Sequence, residues 1–170
     1  MDTEASLGQR LVLTNGIILS KEKCSYTKAT KVRDIFLELK AKYNIETIYI
    51  EENLQAFRRG LSSAKTLSIL ARFNGIISFV AQDIFQVPVV MLNVNHARKS
   101  IGLKTDRKIK QEISIKEQVV RWIKDQPDFK NFKFPMKTLK SGPRKGQVIT
   151  APEGYDIADA AVVCLAGMIN

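Results

Sequence analysis

Ten consecutive residues, Ala160-Ala-Val-Val-Cys-Leu-Ala-Gly-Met-Ile169, carry no charge and follow directly on two aspartates, Asp156 and Asp159. Such a run offers no polar face to water, so it calls for a helix packed inside a domain. At about half the length of a membrane span it is too short to cross a bilayer. The acids therefore sit where solvent meets core. Side chains three residues apart on a helix have Cβ atoms about 5–6 Å from each other, so the two carboxylates can converge on one hard cation. A competing reading makes Asp156 the N-cap and Asp159 a first-turn acid favoured by the helix dipole.

At 170 residues with 45% hydrophobic content, the chain is expected to form one domain spanning residues 1–170. Its acidic start, Met-Asp-Thr-Glu-Ala-Ser, is unlike a signal sequence, and Cys24 and Cys164 lack the spacing of a zinc site or a disulfide framework. The expectation is a cytoplasmic protein (host cytoplasm for a viral chain), neither secreted nor held at a membrane. The formal net charge of +10 is concentrated: Arg98 to Lys145 holds 15 Lys or Arg against 5 Asp or Glu, while the other residues carry 12 of each sign. One-signed charge over one segment favours a polyanionic partner, nucleic acid before membrane.

Along the chain, Arg10 to Ser20 reads as two strands joined at Asn15-Gly16, and Thr27 to Tyr43 as an amphipathic helix burying Val32, Ile35, Phe36 and Leu39, ended by Asn44. Thr47-Ile-Tyr-Ile is a short interior strand running into Glu51-Glu52. A long helix is expected from about 61 to 82, in which Gly75 permits either tight internal packing or close approach of a second subunit. Pro88-Val-Val-Met-Leu then supplies a strand parallel to the first, a βαβ unit and an α/β fold. His96, the single histidine, fits a structural hydrogen-bonding role more readily than a catalytic one. Ser114-Ile-Lys-Glu117 has capping-box spacing and opens a helix that stops before Pro127. Residues 126–153 hold four of the five prolines and interleave Phe129, Phe132 and Phe134 with lysines, which reads as a basic loop or flap. Those rings either stack on exposed bases or anchor the flap to the core.

Three features in order, an aspartate (Asp2) ahead of a hairpin, a strand ending Ile50-Glu51-Glu52, and Asp156-Ile-Ala-Asp159-Ala160, resemble the RuvC-type Holliday-junction resolvases of the RNase H-like superfamily. The long helix followed by Pro88-Val-Val, and Ala97-Arg98-Lys99 beyond that strand, extend the resemblance over most of the chain. It implies an RNase H-like mixed sheet flanked by helices. Only Met1 precedes Asp2, so the first strand of that pattern is missing, and the segment 126–153 is longer than in the bacterial members.

The resemblance further implies that Asp2, Glu51, Asp156 and Asp159 are catalytic and hold two Mg²⁺ ions, with Mn²⁺ as the alternative. It implies a homodimer paired through the long helix, cutting opposed strands of branched DNA and four-way junctions. Leu54 or Phe57 would wedge the junction open, and Arg58, Arg59, Arg98, Lys99, Lys104, Lys130, Lys133, Lys137 and Lys140 would contact DNA. Two other functions fit the same residues: an RNase H-like nucleic-acid-binding module without cleavage, and a related nuclease acting on RNA or RNA–DNA hybrids.

Overall fold

The computed structural model describes residues 24–52, 64–106 and 113–169. The hairpin expected between Arg10 and Ser20 lies outside them. The chain is mixed α/β, and its described residues separate into two compact units, one before residue 97 and one from residue 97 onward.

In the first unit, α1 (Ser25–Lys42) and α2 (Ala64–Phe85) pack together, and β1 (Ile48–Glu51) pairs in parallel with β2 (Val89–Leu92). The expected βαβ unit is therefore present, with Ile48 opposite Val89 and Glu51 opposite Leu92. Val32, Phe36, Phe73, Ala81 and Ile84 form the core, and Leu39, Ile48, Ile77 and Val89 pack against it. The Phe36 and Phe85 rings meet edge to face at 5.4 Å. Helix α1 stops one residue before the expected Asn44, because Tyr43 turns extended at the C-cap while its N–H still bonds to Leu39 O. Helix α2 runs three residues past the expected Gln82 and stops where Gln86 enters the left-handed region (φ 55°) just ahead of Pro88.

Gly75 departs from the packing expectation. A Cβ built there meets nothing within 4 Å, so no neighbour among the described residues requires a glycine. With Ala71 and Phe79 it lines an outward stripe of α2 on which Phe79 is 70% exposed. The stretch Leu67–Phe85, with a mean hydropathy of 1.2, is also long and apolar enough by composition to cross a membrane.

The second unit is built on α4 (Ile115–Lys124) against α5 (Pro152–Gly167), and α3 (Val94–Ser100) contributes its buried Ala97. Val119, Val120 and Ile123 of α4 are fully buried, as are Ala158, Ala161, Val162 and Ala166 of α5, so one face of the uncharged run is interior, while Met168 and Ile169 at its end are exposed. Each buried Val or Ile contributes about 1.5–3 kcal/mol on leaving water. Ser114 caps α4, its hydroxyl accepting from Glu117 N–H at 3.2 Å. The Glu117 carboxylate accepts instead from the Tyr155 hydroxyl, also at 3.2 Å, tying α4 to α5.

Residues 126–153 are a flap with structure of its own. A 3₁₀ turn at Pro127–Phe129 leads to an antiparallel ribbon of β3 (Met136–Thr138) and β4 (Val148–Thr150), which hands directly to α5. The ribbon base is seated on Gly154, where an added Cβ would lie 2.5 Å from Thr150 Cγ2 and 3.3 Å from the Pro135 carbonyl oxygen. Thr150 is fully buried and β-branched, so it has little room to yield. Helix propensity alone would favour alanine by about 1 kcal/mol, but overpacking costs about 1–3 kcal/mol, and the second term wins. Gly154→Ala should lower the thermal midpoint by several degrees in a circular-dichroism melt; an unchanged or raised midpoint would show that the seat is slack.

Candidate functional site

The acid pair lies on α5, and the start of that helix decides what the acids are for. Pro152 occupies its first turn and Ala151 is the N-cap, with no side-chain capping bond. Proline lacks the N–H that a first turn leaves unpaired and has φ preset for a helix, so it nucleates the helix there. The N-cap expectation for Asp156 is thereby corrected: the helix begins five residues earlier, and Glu153 is its first-turn acid. Capping and the helix dipole account for Glu153 but for neither Asp156 nor Asp159. The spacing of three extends back to Glu153, a signal present in the sequence that the Asp156–Asp159 pair overshadowed.

The two aspartates sit in different electrostatic settings. Burial is the largest influence on Asp156 and holds its carboxyl above the ordinary aspartate value; Lys116 of α4 pulls it down, and Asp159 and Glu153 push it up again. The residue is exposed by surface area, so the surrounding protein desolvates the carboxyl without covering it. Asp159 already has a cation: Arg98 Nη2 donates to its Oδ1 at 2.5 Å, both side chains being about four-fifths buried. Arg98 Nε is buried and has no hydrogen-bond partner. Beside them, burial and then Glu117 raise the Tyr155 hydroxyl above its ordinary value, and Lys116 Nζ lies 5.6 Å from that ring centroid.

Asp156 and Asp159 are oxygen donors of the kind a divalent ion takes, one carboxyl being desolvated by burial and the other already drawn onto a guanidinium. Those two acids would hold it. Mg²⁺ or Mn²⁺ bound there would supply charge relief for phosphodiester hydrolysis. Among the described residues no three His, Cys, Asp or Glu side chains gather as a metal-holding group. Glu51 belongs to the first unit, where it ends β1 with its side chain exposed. Its backbone is fixed, because Asn74 Nδ2 of α2 donates to Glu51 O at 2.8 Å and Glu52 N–H bonds to Leu92 O at 2.8 Å. Asp2 lies outside the described residues, as do Leu54, Phe57, Arg58 and Arg59.

The basic surface is borne by the second unit. Lys99, Lys104, Lys130, Lys133, Lys137 and Lys140 are all exposed, whereas Arg98 is turned onto Asp159. Two of the flap phenylalanines take the anchoring role, and the third is half in solvent. Phe129 and Phe134 are buried and anchor the flap, and Phe132 is 45% exposed. Their rings still touch, Phe132 lying 6.4 Å from Phe129 and 5.0 Å from Phe134, and Lys124 Nζ covers the Phe134 ring at 5.4 Å. Sequence reasoning passed over Arg144 and Lys145 in the ribbon loop and Lys116 beside the acids. The first two follow from the strand pairing, and the third from α4 packing on α5 across about forty residues of sequence. No family model matches the chain, and no curated protein or solved structure is significantly similar to it.

Proposed function

We propose that this protein is a divalent-metal-dependent, structure-selective DNA endonuclease of RNase H-like fold, resolving four-way junctions by paired nicks as a cytoplasmic homodimer. The observation that carries the reading is the acid pair of α5. Its two carboxylates stand one turn apart without a capping role, near the start of a helix whose inward face is buried, in the unit that bears the excess positive charge. A buried helix gives ligands a rigid base, and exposed lysines give a polyanionic substrate its counter-charge. Asp156, Asp159, Glu51 and Asp2 are the acids assigned to cleavage. The parallel β1–β2 pair, with Glu51 at its end, supports a sheet of the proposed kind, and the outward Ala71, Gly75 and Phe79 stripe supports pairing through α2.

A second reading has one observation in its favour. The Arg98–Asp159 ion pair neutralises an acid that catalysis needs, as expected of a nucleic-acid-binding module that does not cut. The two separate in one experiment: incubation of the protein with a synthetic four-way junction, a linear duplex and an RNA–DNA hybrid, with Mg²⁺, with Mn²⁺ and with EDTA. The endonuclease nicks the junction only with metal and spares the linear duplex. Binding without nicking in either metal establishes the module instead, and preference for the hybrid moves the substrate to RNA.

A further inference from the structure

The ribbon β3–β4 has a charge pattern found nowhere else in the chain. From Phe129 to Pro152 there is no Asp or Glu, against Lys130, Lys133, Lys137, Lys140, Arg144 and Lys145. The last three sit in the loop closing the ribbon, and all are exposed. The ribbon is longer than its two three-residue strands, since Leu139 N–H bonds to Gln147 O at 2.9 Å and Gly146 N–H to Leu139 O at 2.8 Å. Left-handed Gly142 (φ 82°) and Gly146 (φ 88°) let the loop close on itself, with Lys145 N–H bonded to Gly142 O at 3.0 Å. Exposure rises from fully buried Thr150 at the base to Val148, 62% exposed, which pairs with Thr138 and shares its face. One end is thus fixed in the core while the other presents cations and a small apolar patch.

We propose that this ribbon is an arm that enters the major groove of B-form DNA, with Lys140, Arg144 and Lys145 on the phosphates and the Thr138–Val148 face toward the base edges. Two paired strands lie about 5 Å apart, and a major groove about 12 Å wide admits a two-stranded ribbon with its side chains. The deep, narrow major groove of A-form RNA does not admit side chains, so the shape selects DNA duplex over RNA duplex. The assignment rests on the reading of the protein as DNA-binding, but not on cleavage.

The test is fluorescence anisotropy with the full chain in EDTA, titrating a linear DNA duplex, the matching RNA duplex and anionic phosphatidylserine vesicles at about 50 and 200 mM salt. Each phosphate contact adds about 0.9 to the slope of log affinity against log salt, so the Lys140→Gln, Arg144→Gln, Lys145→Gln variant should lose about 40-fold less affinity over that range than the parent. Val148→Ser should weaken the DNA duplex by roughly fivefold or more and leave RNA unchanged. All four side chains are exposed, and melts matching the parent confirm intact folding. An unchanged salt slope, equal losses on DNA and RNA, or a preference for vesicles overturns the groove arm. A parent that binds no DNA removes this assignment and the endonuclease together. A parent that binds DNA while the variants behave identically removes the arm alone, and a positive result with no nicking of junctions removes only the endonuclease.

Discussion

In the junction-nicking assay, Asp156→Asn, Asp159→Asn and Glu51→Gln should each cut about a hundredfold or more slowly than the parent, while binding the junction with unchanged affinity. That is the scale of removing one charged group that stabilises a transition state, and an amide keeps the shape while losing the charge. Stability separates lost chemistry from lost folding. The folded-state carboxyl of Asp156 titrates above its unfolded value, so the native state holds the extra proton between the two values. Stability therefore falls as pH rises through that window, and at neutral pH the ionised group is a cost. Asp156→Asn should raise the thermal midpoint at neutral pH, with the gain gone once the pH falls below the ordinary carboxylate range. Asp159→Asn should lower it, because a largely buried Arg98 loses its partner. An Asp156→Asn protein that nicks like the parent would falsify the metal-acid reading.

Phe79→Lys should break the proposed dimer into single chains of 19.2 kDa and, in the junction assay, replace the proposed paired cuts with isolated nicks. Phe79 is 70% exposed beside Gly75, around which there is open space, and a large ring left in water is the kind of anchor that dominates an interface. A lysine in its place puts two like charges across the symmetry axis. Multi-angle light scattering at micromolar concentration reads the mass directly. A parent mass of one chain, with and without junction DNA, removes the dimer. A parent that needs detergent to stay in solution points to α2 meeting lipid, as its length and hydropathy allow.

The elements whose cause is local were legible in the sequence. Val32, Phe36 and Leu39 gave away the buried face of α1, Ser114 marked the start of α4 and bonds as expected, and the β-branched runs at Ile48 and Val89 pair as parallel strands. The uncharged run buries one face as its composition requires, although Met168 and Ile169 at its end are exposed. Less visible was anything set by contacts across long stretches of chain. The start of α5 was misplaced because the aspartates resemble caps, whereas Pro152 and the Thr150 seat determine where the helix begins. The Arg98–Asp159 pair joins residues 61 apart, and no spacing rule connects them. The split of the flap phenylalanines depends on which rings α4 and α5 leave room for, information that exists only after packing.

The Gly154 seat also limits the order in which this sequence can change. Any side chain at 154 collides first with the Thr150 methyl, so alanine there is better tolerated once residue 150 has been trimmed. Trimming it to alanine gives up one buried methyl, at about 0.8 kcal/mol, and strands nothing, since the Thr150 hydroxyl is buried with no hydrogen-bond partner. The reverse order passes through an overpacked intermediate. The two positions should thus drift as a pair with a preferred direction, and random libraries of this protein should recover alanine at 154 almost only alongside a smaller residue at 150.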